Sequence, residues 1–230
     1  MSCIPELKPR LAAIAELIGE ACVIADVGTD HAYLPVWLAA KGRISRAVAS
    51  DIRPGPLARA KKTVSNAGLE DRIELVLCDG LAGIDTRGLD YAVIAGMGGE
   101  TEAEILEKAL ASANVFCRFI LQPMTKAPEL RRRLAQSGFE IYDWRLAREG
   151  SHIYEILAAR MSKNVECEEP WLTIGKKTPE TAELWPLYAE KTLHRLNREL
   201  HGLRASSAPD ISRASNIESL ILKIRKELEK

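Results

Sequence analysis

The stretch ACVIADVGTDHAYLP, Ala21 to Pro35, decides the reading of this chain. Val23 to Ala25 form a short apolar run of the kind that a parallel sheet buries on both faces. The run ends on Asp26, passes Gly28, and leads into an apolar helical segment from about Leu34 to Ala40. A strand that turns through glycine into a helix brings backbone N–H groups and a helix N-terminus beside a carboxylate at the mouth of a sheet. That setting suits an adenosine-bearing cofactor. A GxGxxG fingerprint is incomplete, because Asp30, His31 and Ala32 occupy its remaining positions, so the assignment rests on what the following strand ends carry.

The same alternation runs upstream and downstream. Leu7, Leu11, Ile14, Leu17 and Ile18 recur at helical spacing, with Gly19 placed to stop that helix. After the opening unit come a strand at Ala47 to Asp51, a helix from about Pro56 to Asn66 closed by Ala67-Gly68, and strands at Ile73 to Cys78 and Tyr91 to Ala95. A helix from Glu102 to Ala111, a fifth strand from Phe116 to Leu121 and a helix from Pro128 to Gln136 follow. Short apolar runs separated by helical ones predict an α/β fold with a parallel sheet covered on both faces. The ending breaks the rhythm, since Phe139 to Trp144 and His152 to Ala158 are both strand-like and only the polar turn Arg148-Glu149-Gly150-Ser151 lies between them. The expectation is a mostly parallel seven-stranded sheet ending in an antiparallel hairpin. Such an arrangement resembles the Rossmann-like class I S-adenosylmethionine (SAM) methyltransferases more than the dinucleotide dehydrogenases.

From about Met161 the character changes. Asn164 to Pro179, with Glu168-Glu169-Pro170 and Gly175, reads as a linker. Leu193, Leu196, Leu200 and Leu203 then alternate steps of three and four, and Ile217, Leu220, Ile221, Ile224 and Leu228 repeat in similar rhythm. Ser206 to Asp210 turns the chain between the two runs, with Asp210 as an N-cap. Two such seams predict a helical, coiled-coil-like hairpin, either a stabilising or dimerising appendage or an arm that grasps substrate. The expected division is residues 1–160 as the sheet domain and 161–230 as linker and helical extension.

Composition narrows the class. With 230 residues, 47% of them hydrophobic, the chain can bury a full core and retain an appendage. Its formal net charge of zero means that any nucleic-acid surface must be local. Five cysteines, Cys3, Cys22, Cys78, Cys117 and Cys167, show no CxxC or pairing rhythm, as in a reducing compartment. No signal-peptide pattern and no membrane-length apolar run occur, so the chain reads as cytoplasmic. His31, His152, His194 and His201 belong to no metal-ligand spacing, and neither a nucleophile elbow nor a P-loop occurs; no metal is expected.

The strand ends carry the chemistry. Asp51 closes the second strand, where such folds place an acid to accept hydrogen bonds from ribose hydroxyls. Cys78-Asp79-Gly80-Leu81 puts a carboxylate after the third, where it can meet an adenine amino group, and Ala95-Gly96-Met97-Gly98-Gly99 gives a flexible loop after the fourth. Turn chemistry alone would not place an acid or glycines at four successive strand ends.

Taken in order, DVGTDHAYLP, SDIRPGPL from Ser50, CDGL from Cys78, AGMGG from Ala95 and LQP from Leu121 resemble the bacterial tRNA adenine-N1 methyltransferases that modify adenine 22, the TrmK family. The resemblance extends from about Leu7 to Ala159, and that family also has a C-terminal helical extension. It implies a SAM pocket in which Asp26, Gly28 and His31 line the methionine side, Asp51 and Ile52 the ribose, and Asp79, Gly80 and Leu81 the adenine. Gly96, Met97 and Gly98 would take the place of the Asn-Pro-Pro-Tyr loop that many amino-methylating enzymes use to hold a target base, with Tyr33 nearby and Gln122 and Pro123 at the rim. Where the family carries Asn after Leu-Gln-Pro, this chain has Met124, which donates no amide hydrogen bond.

The implied chemistry needs little acid–base help. Adenine N1 already has an in-plane lone pair, so positioning dominates, and the base must be unpaired or extruded. Positive charge arriving on the purine acidifies its amino group, so a nearby acceptor favours the transition state. The candidates are Asp30, which on the bland reading caps the next helix, and the Gly96 to Gly99 carbonyls. Lys126, Arg131, Arg132 and Arg133, with Arg145 and Arg148, form a candidate basic lip for tRNA phosphates; the bland alternative is a solvated helix surface. The tail adds Lys191, Arg195, Arg198 and Arg204. The expected protein is a monomer or weak homodimer. The competing readings are a methyltransferase for another RNA or a small molecule, a nicotinamide-dependent oxidoreductase, which the absent glycines and the hairpin oppose, and a scaffold with an idle pocket.

Overall fold

The computed structural model describes residues 4–115, 117–163, 165, 167–206 and 210–229. Cys3, Phe116, Asn164 and the middle of the turn at 207–209 lie outside them. Two compact units divide the chain, Met1–Val165 and Glu166–Lys230.

The first unit is a seven-stranded sheet in the order β3-β2-β1-β4-β5-β7-β6. Its strands are β1 (Cys22–Val27), β2 (Ile44–Asp51), β3 (Ile73–Leu77), β4 (Tyr91–Gly98), β5 (Arg118–Thr125), β6 (Phe139–Glu149) and β7 (His152–Met161). The first five are parallel, and β7 runs antiparallel to both β5 and β6. Helices α1 (Pro9–Glu16), α2 (Tyr33–Ala40), α3 (Pro54–Ala67), α4 (Gly99–Ala111) and α5 (Ala127–Gln136) cover the sheet.

Local chemistry sets these boundaries. Pro54 opens α3, and Gly68, left-handed at φ 67°, ends it while its N–H and that of Leu69 reach back to Ser65 and Val64. Ile24, Ala25, Ala92, Val93, Ile94, Phe119, Ile120 and Leu121 in the central strands are fully buried, as strands covered on both faces require. Phe119 meets Phe139 edge to face at 5.7 Å, tying β5 to β6.

Three expectations change. The Gly96-Met97-Gly98 segment is not a loop but the end of β4, and its pairing with β5 slips on either side of Met97. Gly96, at φ 82°, supplies the bulge. The Gln122-Pro123 rim is likewise inside β5. The chain divides after Val165 rather than at 160, because β7 continues to Met161.

The second unit has a short α6 (Trp171–Ile174), which the sequence reading left as linker, and two long helices, α7 (Trp185–Ala205) and α8 (Ile211–Leu228). These two pack as the predicted hairpin, burying Leu196 and Leu200 with Ile217, Ile221 and Ile224. Asp210 caps α8 by accepting from the Arg213 N–H at 2.9 Å, and Arg204–Glu218 and Arg213–Glu199 pair between the helices.

One buried ion pair clamps the hairpin of the sheet. Arg131 of α5 donates to Glu155 of β7, both under 3% exposed, and Trp144 Nε1 of β6 donates to the same carboxylate at 3.1 Å. Removing one member strands a charge away from water. Arg131→Ala should therefore lose about 3–5 kcal/mol in urea unfolding, and Arg131→Met with Glu155→Leu should recover most of it; a single variant within about 1 kcal/mol of wild type would contradict this clamp.

Candidate functional site

Progress through the sheet reverses between β1 and β4, and a crevice forms at such a switch point beyond the strand ends. Asp26 lies at its floor, 7% exposed, accepting from Thr29 Oγ1 at 2.5 Å. Burial pushes its carboxyl up to about 6, against the Thr29 hydrogen bond and the Arg10 charge, with Asp51 adding to the rise. Gly28 adopts φ 74°, and a Cβ there would fall 2.1 Å from Cε of Met97, so the turn needs glycine both for its backbone and for its neighbour. The Gly28 and Thr29 N–H groups do not face the crevice as the sequence suggested; both donate to the Ser50 carbonyl at 2.8 Å, lacing the β1 and β2 ends together.

Asp51 is 6% exposed at the end of β2. Its Oδ1 accepts from the Arg53 N–H at 2.9 Å and has the Arg53 guanidinium at 4.0 Å, which leaves Oδ2 without a protein partner among the described residues. Ile52 projects beside it, exposed. Across β3, Asp79, Gly80 and Leu81 border a cavity of about 350 Å³ whose far wall is Ile105, Lys108 and Ala109 of α4. Leu81 is buried, while the Asp79 carboxylate is exposed and paired with Lys108 at 3.2 Å.

On the other side of the β1 turn, Asp30 does not cap α2; that N-cap is Ala32, with no side-chain hydrogen bond. Asp30 instead pairs with Arg59 of α3 and lies 3.5 Å from Nε2 of His31, whose ring stacks on Tyr33 at 4.9 Å. Tyr33 is 40% exposed and available at the mouth. Met97 lies across Gly28, on the floor between β1 and β4.

The basic lip is not assembled as the sequence suggested. Arg131 is inside the Glu155 clamp, Arg133 binds Glu107 and the Glu100 carbonyl, Arg132 lies 4.0 Å from Glu129, and Lys126 pairs with Glu100 at 2.6 Å. The arginine triplet runs along a helix whose inner face is core, so consecutive positions point in different directions. Gln122 is also redirected: it is fully buried, its amide Nε2 donates to the Pro123 carbonyl at 2.9 Å, and Met124 covers it at the rim. Pro123 is buried too.

Two residues that the sequence reading passed over reach this region. Arg10 of α1 donates from Nη1 to Gln122 Oε1 at 2.5 Å, lies 3.7 Å from where a Cβ on Gly96 would stand, and places its guanidinium 5.9 Å from the Tyr154 ring. Glu102 of α4 is fully buried, and among the described residues neither carboxyl oxygen has a hydrogen-bond partner of good geometry. Burial drives that carboxyl well above the usual range; the nearby Met97 amide and the Arg10 charge moderate the rise, and the Glu155 charge adds to it. Each had a signal: Arg10 follows Leu7 by three and precedes Ile14 by four, and Glu102 precedes Ile105 and Leu106 by three and four, so both charges fall on apolar stripes. Among the described residues, no His, Cys, Asp and Glu side chains cluster as a metal site, and no helix is long and apolar enough to cross a membrane.

Asp26 gives a pH-dependent prediction. Its folded value of about 6 exceeds the ordinary 3.8, so folding takes up a proton between them, and the group's contribution to stability is lost as pH rises through about 6. Without ligand, Asp26→Asn should be more stable than wild type at pH 8 by on the order of 2 kcal/mol, with the gap shrinking toward pH 4.5. Thermal melts across that range measure it.

Comparison with known proteins agrees with this geometry. Residues 7–157 match the family description "methyltransferase domain". The tRNA (adenine(22)-N(1))-methyltransferase of Bacillus subtilis strain 168 is 37% identical over 154 residues, which span 67% of this chain and 65% of that relative's own length. The crystal structure of the B. subtilis m1A22 tRNA methyltransferase TrmK superposes with a TM-score of 0.83 at 26% identity, over 98% of this chain and 99% of that one. M. capricolum TrmK in complex with S-adenosyl-homocysteine gives 0.81 at 29% identity, over 97% and 98%. A methyltransferase-type sheet, acids grouped at its switch point and these likenesses converge: the chain belongs to the TrmK family of methyltransferases.

Proposed function

We propose that this protein transfers a methyl group from SAM to N1 of an adenine in tRNA, adenine 22, in the cytoplasm. The observation that carries the reading is the pair of buried acids, Asp26 and Asp51, flanking the Gly28 turn at the switch point, with Asp51 Oδ2 lacking a protein partner among the described residues. Buried acceptors of this kind demand a donor-rich ligand. The residues fit the cofactor: above pH 6 Asp26 is an anion that can receive its ammonium group, Asp51 can accept from the ribose, and the cavity beyond Asp79, Gly80 and Leu81 can admit the purine. When bound, SAM supplies an electrophilic methyl on a sulfonium.

Every other part of the task belongs to the chain. Adenine N1 needs no deprotonation, so the protein must hold an unpaired base edge-on to the crevice and exclude water. We assign Tyr33, stacked on His31 and open to solvent, as a face against which the base can stack. The Gly96 to Gly98 end of β4 brings backbone carbonyls beside Met97 for the amino group, and Asp30, paired with Arg59, is the alternative acceptor. Lys126 and Arg148 remain exposed at the rim, and Lys191, Arg195 and Arg198 are exposed on α7; these cations suit RNA phosphates. We assign methyl transfer to the sheet unit and RNA contact to both units.

Incubation of unmodified tRNA with methyl-labelled SAM, followed by nucleoside mass spectrometry and mapping of reverse-transcription stops, should give 1-methyladenosine with one stop at adenine 22. A mark elsewhere would overturn the specificity, and no incorporation would overturn the activity. Asp51→Ala should weaken SAM binding about tenfold or more in calorimetry, because a buried acceptor for two hydroxyls is lost.

A further inference from the structure

Arg10 belongs to a helix outside the sheet, yet its side chain reaches three of the elements that border the acceptor side. Its Nη1 donates to Gln122 of β5, it rests against Gly96 at the β4 bulge, and its guanidinium is 5.9 Å from Tyr154 of β7. Its own backbone N–H is fixed by Glu149 of β6 at 2.8 Å, so the start of α1 is tied to the same sheet edge. We propose that Arg10 is a positioning residue for the acceptor base, bracing the Gly96 to Gly98 end of β4 through its hold on Gln122.

Little else supports that strand end. β4 slips in register on both sides of Met97, so ladder hydrogen bonds do not fix this segment as they fix the strand before it. Gln122 is wholly buried, and its two amide ends are divided between Arg10 and the Pro123 carbonyl, so the side chain has one orientation and holds the guanidinium in one place. A charge-assisted bond in this half-buried setting is strong and directional. Misplacing a reacting group by about 1 Å can cost on the order of a hundredfold in rate, so a brace of this kind reads out in turnover.

The inference rests on the methyl-transfer reading, and the test separates the two. Full-length wild type, Arg10→Ala, Arg10→Lys, Gln122→Leu and the double variant Arg10→Ala/Gln122→Leu would be compared for single-turnover methylation of tRNA and for SAM affinity at pH 8. Arg10→Ala should slow methyl transfer about tenfold or more while leaving SAM affinity within about threefold, and Gln122→Leu should do likewise. The double variant should be no slower than the worse single one, because both break the same contact, and Arg10→Lys should regain part of the rate. An active wild type matched by Arg10→Ala, additive losses in the double variant, or a loss of SAM affinity parallel to the loss of rate would overturn the inference alone. An inactive wild type would overturn the methyl-transfer reading and the inference with it. Should Arg10→Ala not fold, Arg10→Lys and Gln122→Leu still decide the matter through the same split between rate and affinity.

Discussion

Two carboxylates held out of water at adjacent strand ends set the terms for the rest of this molecule. Asp26 and Asp51 are both nearly inaccessible, and burial, with the nearby Asp51 charge adding to it, raises the cost of ionising Asp26. A fold stabilised only for its own sake would replace them with neutral side chains. They are tolerated because the sheet around them is buried on both faces and laced at its rim by the Gly28 and Thr29 bonds to Ser50. Stability lost at the crevice is offset in the core, the usual relation between a binding site and its scaffold.

A second group of charges, buried at Glu102 and Arg131 and half-buried at Arg10, serves the walls of the crevice. Arg10, Glu102 and Arg131 lie on the inner faces of α1, α4 and α5, each in register with apolar neighbours. Arg131 is satisfied by Glu155 and tightens the hairpin; Arg10 is satisfied by Gln122 and reaches the β4 bulge. Glu102 is fully buried, and burial holds its carboxyl well above the usual range. Polar groups on helix faces thus connect the covering layer to the sheet edge where chemistry takes place.

Much of this was legible in the sequence, and the failures share a cause. Strand and helix order, the terminal hairpin, the helical pair and the Asp210 cap follow from periodicity and capping chemistry, which are local. The acids at strand ends were legible because the C-terminal edge of a parallel sheet is a single place, whichever strand a residue ends. What could not be read was side-chain direction. Arg131, Arg132 and Arg133 look like one basic patch in one dimension, whereas a helix turns each by 100° from the last and sends Arg131 into the core. Gln122 looked like a rim contact because the fifth strand was read as ending at Leu121; the strand carries on through Gln122 and Pro123, and burial claims the amide. Arg10 was missed because a charge on an otherwise apolar stripe reads as noise until a partner appears across the fold.

Titration of the ligand-free protein with SAM by calorimetry at a series of pH values from 5 to 8 tests the central claim most directly. A pocket built on Asp26, whose carboxyl gives up its proton near pH 6, predicts one saturable site whose affinity climbs through that pH and levels off above it. No measurable binding of SAM at any pH, or tighter binding of a nicotinamide dinucleotide at the same site, would contradict the account.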